Sequence, residues 1–162
     1  MGDATTAGVV AMLPQLPTDS QTCSGNRSPP AVGVCYSVTY TPLATGVGWA
    51  GVYWQHPLNN WGADPGYAIP AGATKVTLWA KGAAGGETVK FVAGGIAGGV
   101  YQDALPSTST PAVLTTTWTQ YTITLPATPP YGMVLGGFAW SAGAQAGPPA
   151  PVTFSIDSIE WH

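Results

Sequence analysis

From about residue 31 onward, apolar and polar positions alternate along most of the chain. In VGVCYSVTYT (32–41), Val34, Tyr36, Val38 and Tyr40 share one face. In TKVTLWAKG (74–82), Val76, Leu78 and Ala80 point one way, while Lys75, Thr77, Trp79 and Lys81 point the other. A period of two marks a half-buried strand. The same reading makes strands of WAGVYWQH (49–56), ETVKFVAGG (87–95), MVLGGFAWSA (133–142) and VTFSIDSIEWH (152–162). AVLTTTWTQYTITLP (112–126) holds one or two more, with Tyr121, Ile123 and Leu125 inward; in 87–95, Val89 and Phe91 point inward. GAAGG, AGGIAGG, PATPPYG and AGAQAGPPAP fill the gaps with turn chemistry. No stretch carries a helical period. AGVVAML (7–13) is short, and Pro14 and Pro17 stop it. Seven or more short strands predict an all-β chain, a jelly-roll β-sandwich of two antiparallel sheets. Residues 31–162 form the single domain, and residues 1–30 read as a loosely structured segment that begins a cysteine loop.

Charge narrows the ligand classes. Among 162 residues only 4 are basic and 7 acidic, for a net charge of -3. Nucleic acid and anionic membrane surfaces both need clustered Lys and Arg, which are missing here. A neutral ligand suits the composition better. No run of about 18 apolar residues spans a bilayer. The opening MGDATTAGVVAMLPQLPTDS lacks the basic and apolar regions of a secretory leader. Cys23 and Cys35 are the two cysteines. Twelve apart across a Gly/Asn/Ser/Pro loop, they fit a disulfide closing that loop; the alternative is two buried thiols.

No catalytic constellation stands out. The acids are Asp3, Asp19, Asp64, Glu87, Asp103, Asp157 and Glu160, and no spacing pairs two of them as glycoside hydrolysis requires. There is no nucleophile elbow and no metal-binding His spacing. The tryptophans say more. Seven are present, and GVGWAGVYWQHPLNNWG (46–62) holds three of them. Strand phase sends Trp54 towards the core with Ala50 and Val52. Trp49, Tyr53 and Gln55 take the other face, with Gly51 leaving a gap beside the two rings. Trp61 follows Asn59 and Asn60 in a loop, and Trp79 lies on an outer face. A pyranose has an apolar C–H face for a flat ring to cover and a rim of hydroxyls for amides to meet. The bland alternative is a conventional core beside an ordinary loop. The sugar reading names Trp49, Tyr53, Trp61 and Trp79 as stacking platforms. Gln55, His56, Asn59, Asn60, Gln102 and Asp103 are the polar contacts.

GVYWQHPLNNWG, GATKVTLWAKG, WTQYTITL and VTFSIDSIEWH together resemble the β-sandwich, galactose-binding-like carbohydrate-binding modules of bacterial enzymes that degrade plant cell walls. The resemblance covers about residues 32–162. It implies a secreted, non-catalytic module that binds β-glucans (cellulose chains, mixed-linkage glucan or xyloglucan) and holds an appended glycoside hydrolase on its substrate. Such modules often hold a structural calcium. Asp157 matches the closing-strand acid, with Ser158 in place of the second acid; Asp19 is a further candidate oxygen donor. Two rivals remain open: a small jelly-roll polysaccharide lyase or hydrolase, and a structural or adhesive domain without a sugar site.

Overall fold

A computed structural model describes residues 35–42, 48–126, 132–143 and 150–162, and the main chain of residues 9–15. Eleven strands are present among them: β1 (Val9–Gln15), β2 (Cys35–Thr41), β3 (Trp49–Gln55), β4 (Tyr67–Ala68), β5 (Lys75–Gly82), β6 (Thr88–Ala93), β7 (Thr108–Val113), β8 (Thr119–Thr124), β9 (Met133–Val134), β10 (Gly136–Gly143) and β11 (Val152–Trp161). A five-stranded sheet runs β1-β2-β11-β5-β8 and a four-stranded sheet β3-β10-β6-β7, with every pairing antiparallel. The short β4-β9 ribbon stands apart. The expected all-β sandwich of two antiparallel sheets is what the chain forms.

Alternation builds the core. One sheet sends in Val38, Tyr40, Val76, Leu78, Ala80, Ile123, Phe154 and Ile156; the other sends in Ala50, Val89, Phe91, Phe138, Trp140 and Ala142. Rings lock the layers together. Trp140 meets Phe154 edge to face at 5.2 Å, and Tyr36 meets Trp54 at 5.8 Å. Such pairs add to area burial through complementary ring edges and faces. On β11 the pairing register shifts between Asp157 and Glu160, where Ser158 takes a positive φ of 45°. This bulge inserts a residue and switches the phase. Ile159 and Trp161 then pack against the core, following Phe154 and Ile156.

Two strands depart from the sequence reading. Val9–Gln15 pairs with β2 instead of remaining in a loose segment, and β7 begins at Thr108, inside a Ser/Thr/Pro stretch. Both contain a proline, Pro14 and Pro111. Both are edge strands, where a missing N–H is tolerated because one side of the strand has no partner. Cys35 is fully buried at the start of β2 and is not a free thiol. Cys23 and Asp19 lie outside the described residues.

Candidate functional site

The outer face of the four-stranded sheet carries a groove. On β3, Ala50 belongs to the core and Val52 and Trp54 pack against it, so Trp49, Gly51 and Tyr53 face away. On β10, Phe138, Trp140 and Ala142 go inward, leaving Ala139, Ser141 and Gly143 outward. The register sets Trp49 opposite Gly143, Gly51 opposite Ser141, and Tyr53 opposite Ala139. Next across the sheet, Ala139 pairs with Val92 and Ser141 with Lys90. Two rings thus flank a floor of Gly51, Ala139 and Ser141, and the hollow holds about 230 Å³. Trp49 is 42% exposed. Tyr53 lies four residue steps along the strand from it, about 13 Å. That is longer than one sugar ring, so a single extended chain can meet both.

Trp61 prolongs this row. It is 43% exposed and stands edge-on to Tyr53 at 5.8 Å and 71°. Its indole Nε1 donates to Asn59 Oδ1 (3.2 Å), and Asn59 takes the left-handed conformation that Asn tolerates, with φ of 61°. Asn60 holds the loop from within. Its Nδ2 donates to the carbonyls of His56 (2.9 Å) and Asp64 (2.8 Å), and its Oδ1 accepts from the N–H groups of Gly62, Ala63 and Asp64. At 2% exposure, this amide is committed to the loop and is not available to a ligand.

A second loop, 94–107, closes the same end. Its Tyr101 N–H donates to Gly62 O at 3.0 Å. A methyl group built on Gly99 would lie 2.6 Å from Gly62 Cα, closer than real atoms approach. The two loops therefore meet backbone to backbone. Gly99→Ala should force them apart and displace Trp61. We expect weaker ligand retention with little change in far-UV circular dichroism. Unchanged retention would show that the loop contact does not position the ring.

Asp103 also serves this loop. Its Oδ2 accepts from Ile96 N–H (2.7 Å), and its Oδ1 accepts from the N–H groups of Leu135 and Gly136. The carboxylate is a staple between loop and sheet, which places it in a structural role instead of at the ligand. Burial and, second, the Asp103 charge raise the Tyr53 phenol above its ordinary pKa of 10.0. Tyr53 therefore keeps its donor proton throughout neutral pH. The folded chain holds this proton more tightly than the unfolded chain, so its contribution to stability is intact below about pH 10 and is lost as pH rises through the folded value. Tyr53→Phe should flatten the alkaline fall in Tm. An unchanged slope would assign that fall to other groups.

The remaining sequence candidates lie elsewhere. Trp79 is on β5 of the five-stranded sheet, half-buried, with its core-facing neighbours Leu78 and Ala80 on the opposite side. It thus faces away from the groove, because the sandwich core lies between the two outer faces. The expected trough shared by Trp49, Tyr53, Trp61 and Trp79 does not form with Trp79. Gln55 and His56 line a different hollow of about 290 Å³ at the sandwich end, with Trp54, Tyr67, Phe138 and Trp161. There the His56 ring stacks on Tyr67 at 3.7 Å. Gln102 is exposed in the second loop. Asp157 is buried on β11, and its Oδ1 accepts from Ser158 N–H at 2.7 Å. Among the described residues no three His, Cys, Asp or Glu side chains gather around it. Calcium takes six or more oxygens, so Asp157 would need main-chain carbonyls, or Asp19 outside the described residues, to complete a site.

Three polar groove residues were not anticipated: Lys90, Ser107 and Ser141. Strand phase contained the signal for two of them, since Lys90 alternates with Val89 and Phe91, and Ser141 with Trp140. Ser107 had no such signal. The turn at Gly95 brings it in, where a methyl group would lie 2.6 Å from Ser107 Cβ.

No family model and no curated relative matches the chain. Solved structures do. A family 11 carbohydrate-binding module from Clostridium thermocellum, in complex with a β-1,3-1,4-mixed-linked tetrasaccharide, superposes with a TM-score of 0.57 at 14% identity, over 99% of this chain and 85% of that one. The chain shares the β-sandwich fold of that module. The family 11 module of the cellulosomal cellulase Lic26A-Cel5E, also from Clostridium thermocellum, gives 0.56 at 15% identity over 99% and 84%. A carbohydrate-binding module of the β-sandwich superfamily, with promiscuous specificity, gives 0.52 at 17% over 100% and 55%. At these identities the carbohydrate-binding-module likeness is one of architecture, and the groove has to be read from its own residues.

Proposed function

We propose that this chain is a non-catalytic carbohydrate-binding module that takes a β-glucan chain along the groove of the four-stranded sheet. The observation that carries the reading is the row of Trp49 and Tyr53 on either side of Gly51, continued by Trp61. Flat rings bury the C–H faces of sugars at low entropic cost. Ser107 and Ser141 on the floor, and Gln102 and Asn59 near the loops, supply neutral hydrogen-bonding groups for hydroxyls. The Clostridium module with the mixed-linked tetrasaccharide shares this architecture, which favours the same ligand class. Targeting of an appended glycoside hydrolase, secretion and a Cys23–Cys35 disulfide belong to the same reading.

The test is affinity electrophoresis in gels containing mixed-linkage β-glucan, xyloglucan, hydroxyethyl cellulose, mannan or xylan. The native chain should be retarded by β-glucans, Trp61→Ala should be retarded less, and Trp79→Ala should behave as native. Equal migration of the native chain in every gel would reject sugar binding. Release of reducing ends from β-glucan by the purified chain would reject the non-catalytic reading.

A further inference from the structure

Lys90 lies on the groove face of β6, between the core residues Val89 and Phe91. It pairs with Ser141 on one side and Pro111 on the other, and it lines the hollow with Trp49 and Tyr53. Both paired neighbours are uncharged, and among the described residues Lys90 forms no ion pair. The other two described lysines, Lys75 and Lys81, are on β5 in the opposite sheet, and the Lys81 ammonium sits 5.3 Å over the Trp118 ring. The groove thus contains a cation that nothing described neutralises. The Asp103 carboxylate, whose charge reaches Tyr53, is already met by three backbone N–H groups.

An ammonium is strongly hydrated and offers three donors with no acceptor. A ligand laid over it displaces water. Neutral hydroxyls return part of that hydration, whereas a carboxylate returns it with a charge-assisted bond. We propose that Lys90 makes the groove selective for glycan chains that carry uronic-acid carboxylates over otherwise identical neutral chains. This inference rests on the groove being the sugar site. It adds a negatively charged substituent to a ligand that the low overall charge of the protein suggests is neutral.

The matched ligands are mixed-linkage β-glucan and the same polymer partly oxidised at C6 to glucuronic acid, which differ in the acid alone. Retardation and isothermal titration should show the acidic polymer bound about fivefold more tightly at low salt, the range of an exposed ion pair. The preference should fade at about 1 M NaCl, where screening acts over about 3 Å. Lys90→Gln should bind both polymers equally, with unchanged Tm, and Lys90→Arg should retain the preference. Equal binding of both polymers by the native chain would overturn the proposal while leaving the sugar groove standing. So would an acid preference that persists in Lys90→Gln, which would place the carboxylate elsewhere. Failure to bind either of these or any neutral β-glucan would remove the groove reading itself.

Discussion

Asn60→Ala should lower the Tm by roughly 10 °C and abolish retention on β-glucan gels. The side chain satisfies three backbone donors and two carbonyls inside a loop that has no regular structure of its own. Alanine leaves those groups buried and unmet, at a cost of about 3 kcal/mol. In a chain of this size each kcal/mol moves the Tm by about 2–4 °C. Ligand loss follows by a separate route, because the loop sets the position of Trp61. Asn60→Asp keeps the acceptor for the three N–H groups and loses both donations, so its Tm should fall less than that of Asn60→Ala. Differential scanning calorimetry checks the order. A Tm within 2 °C of native for Asn60→Ala, given the roughly 2–4 °C expected per kcal/mol, would show that water replaces the amide without penalty.

The double replacement of Trp49 and Tyr53 by alanine should weaken β-glucan binding by at least about 30-fold, with the fold intact. A central ring contact typically contributes about 2 kcal/mol to a complex, which corresponds to that factor. Neither side chain belongs to the core. Trp49 is exposed and Tyr53 is half-buried on the groove face. Stability should therefore change much less than affinity. A complementary variant fills the floor instead of removing the walls: Ser141→Leu puts a branched side chain between the rings, and it should block binding with the Tm near native. Titration calorimetry with a mixed-linkage oligosaccharide reads both. Binding that survives the double variant would move the site off this sheet.

Much of this site was legible in strand phase. Gly51 between Trp49 and Tyr53 told correctly of a gap beside two rings, because alternation on a strand is fixed by backbone geometry. Trp54 was placed inward by the same rule. Phase does not report which sheet a strand joins. Trp79 was correctly turned away from its own core, yet β5 lies in the five-stranded sheet, so its outer face is the far side of the molecule. Loop residues were the least legible. Asn60 and Asp103 looked like free polar groups in sequence, and their engagement depends on backbone donors up to 33 residues away. The two edge strands were hidden by proline, which argues against a strand in the middle of a sheet and says little against one at its rim.

Those edges bear on how the protein behaves in company. On the proposed reading, several copies would lie along one polymer chain. Open sheet margins invite neighbouring copies to join strand to strand. Pro14 on β1 and Pro111 on β7 each remove a donor from an outermost strand, one in each sheet. Each of these two strands thus carries one N–H fewer for a neighbouring copy to pair with, while β3 and β8, at the opposite margins, contain no proline.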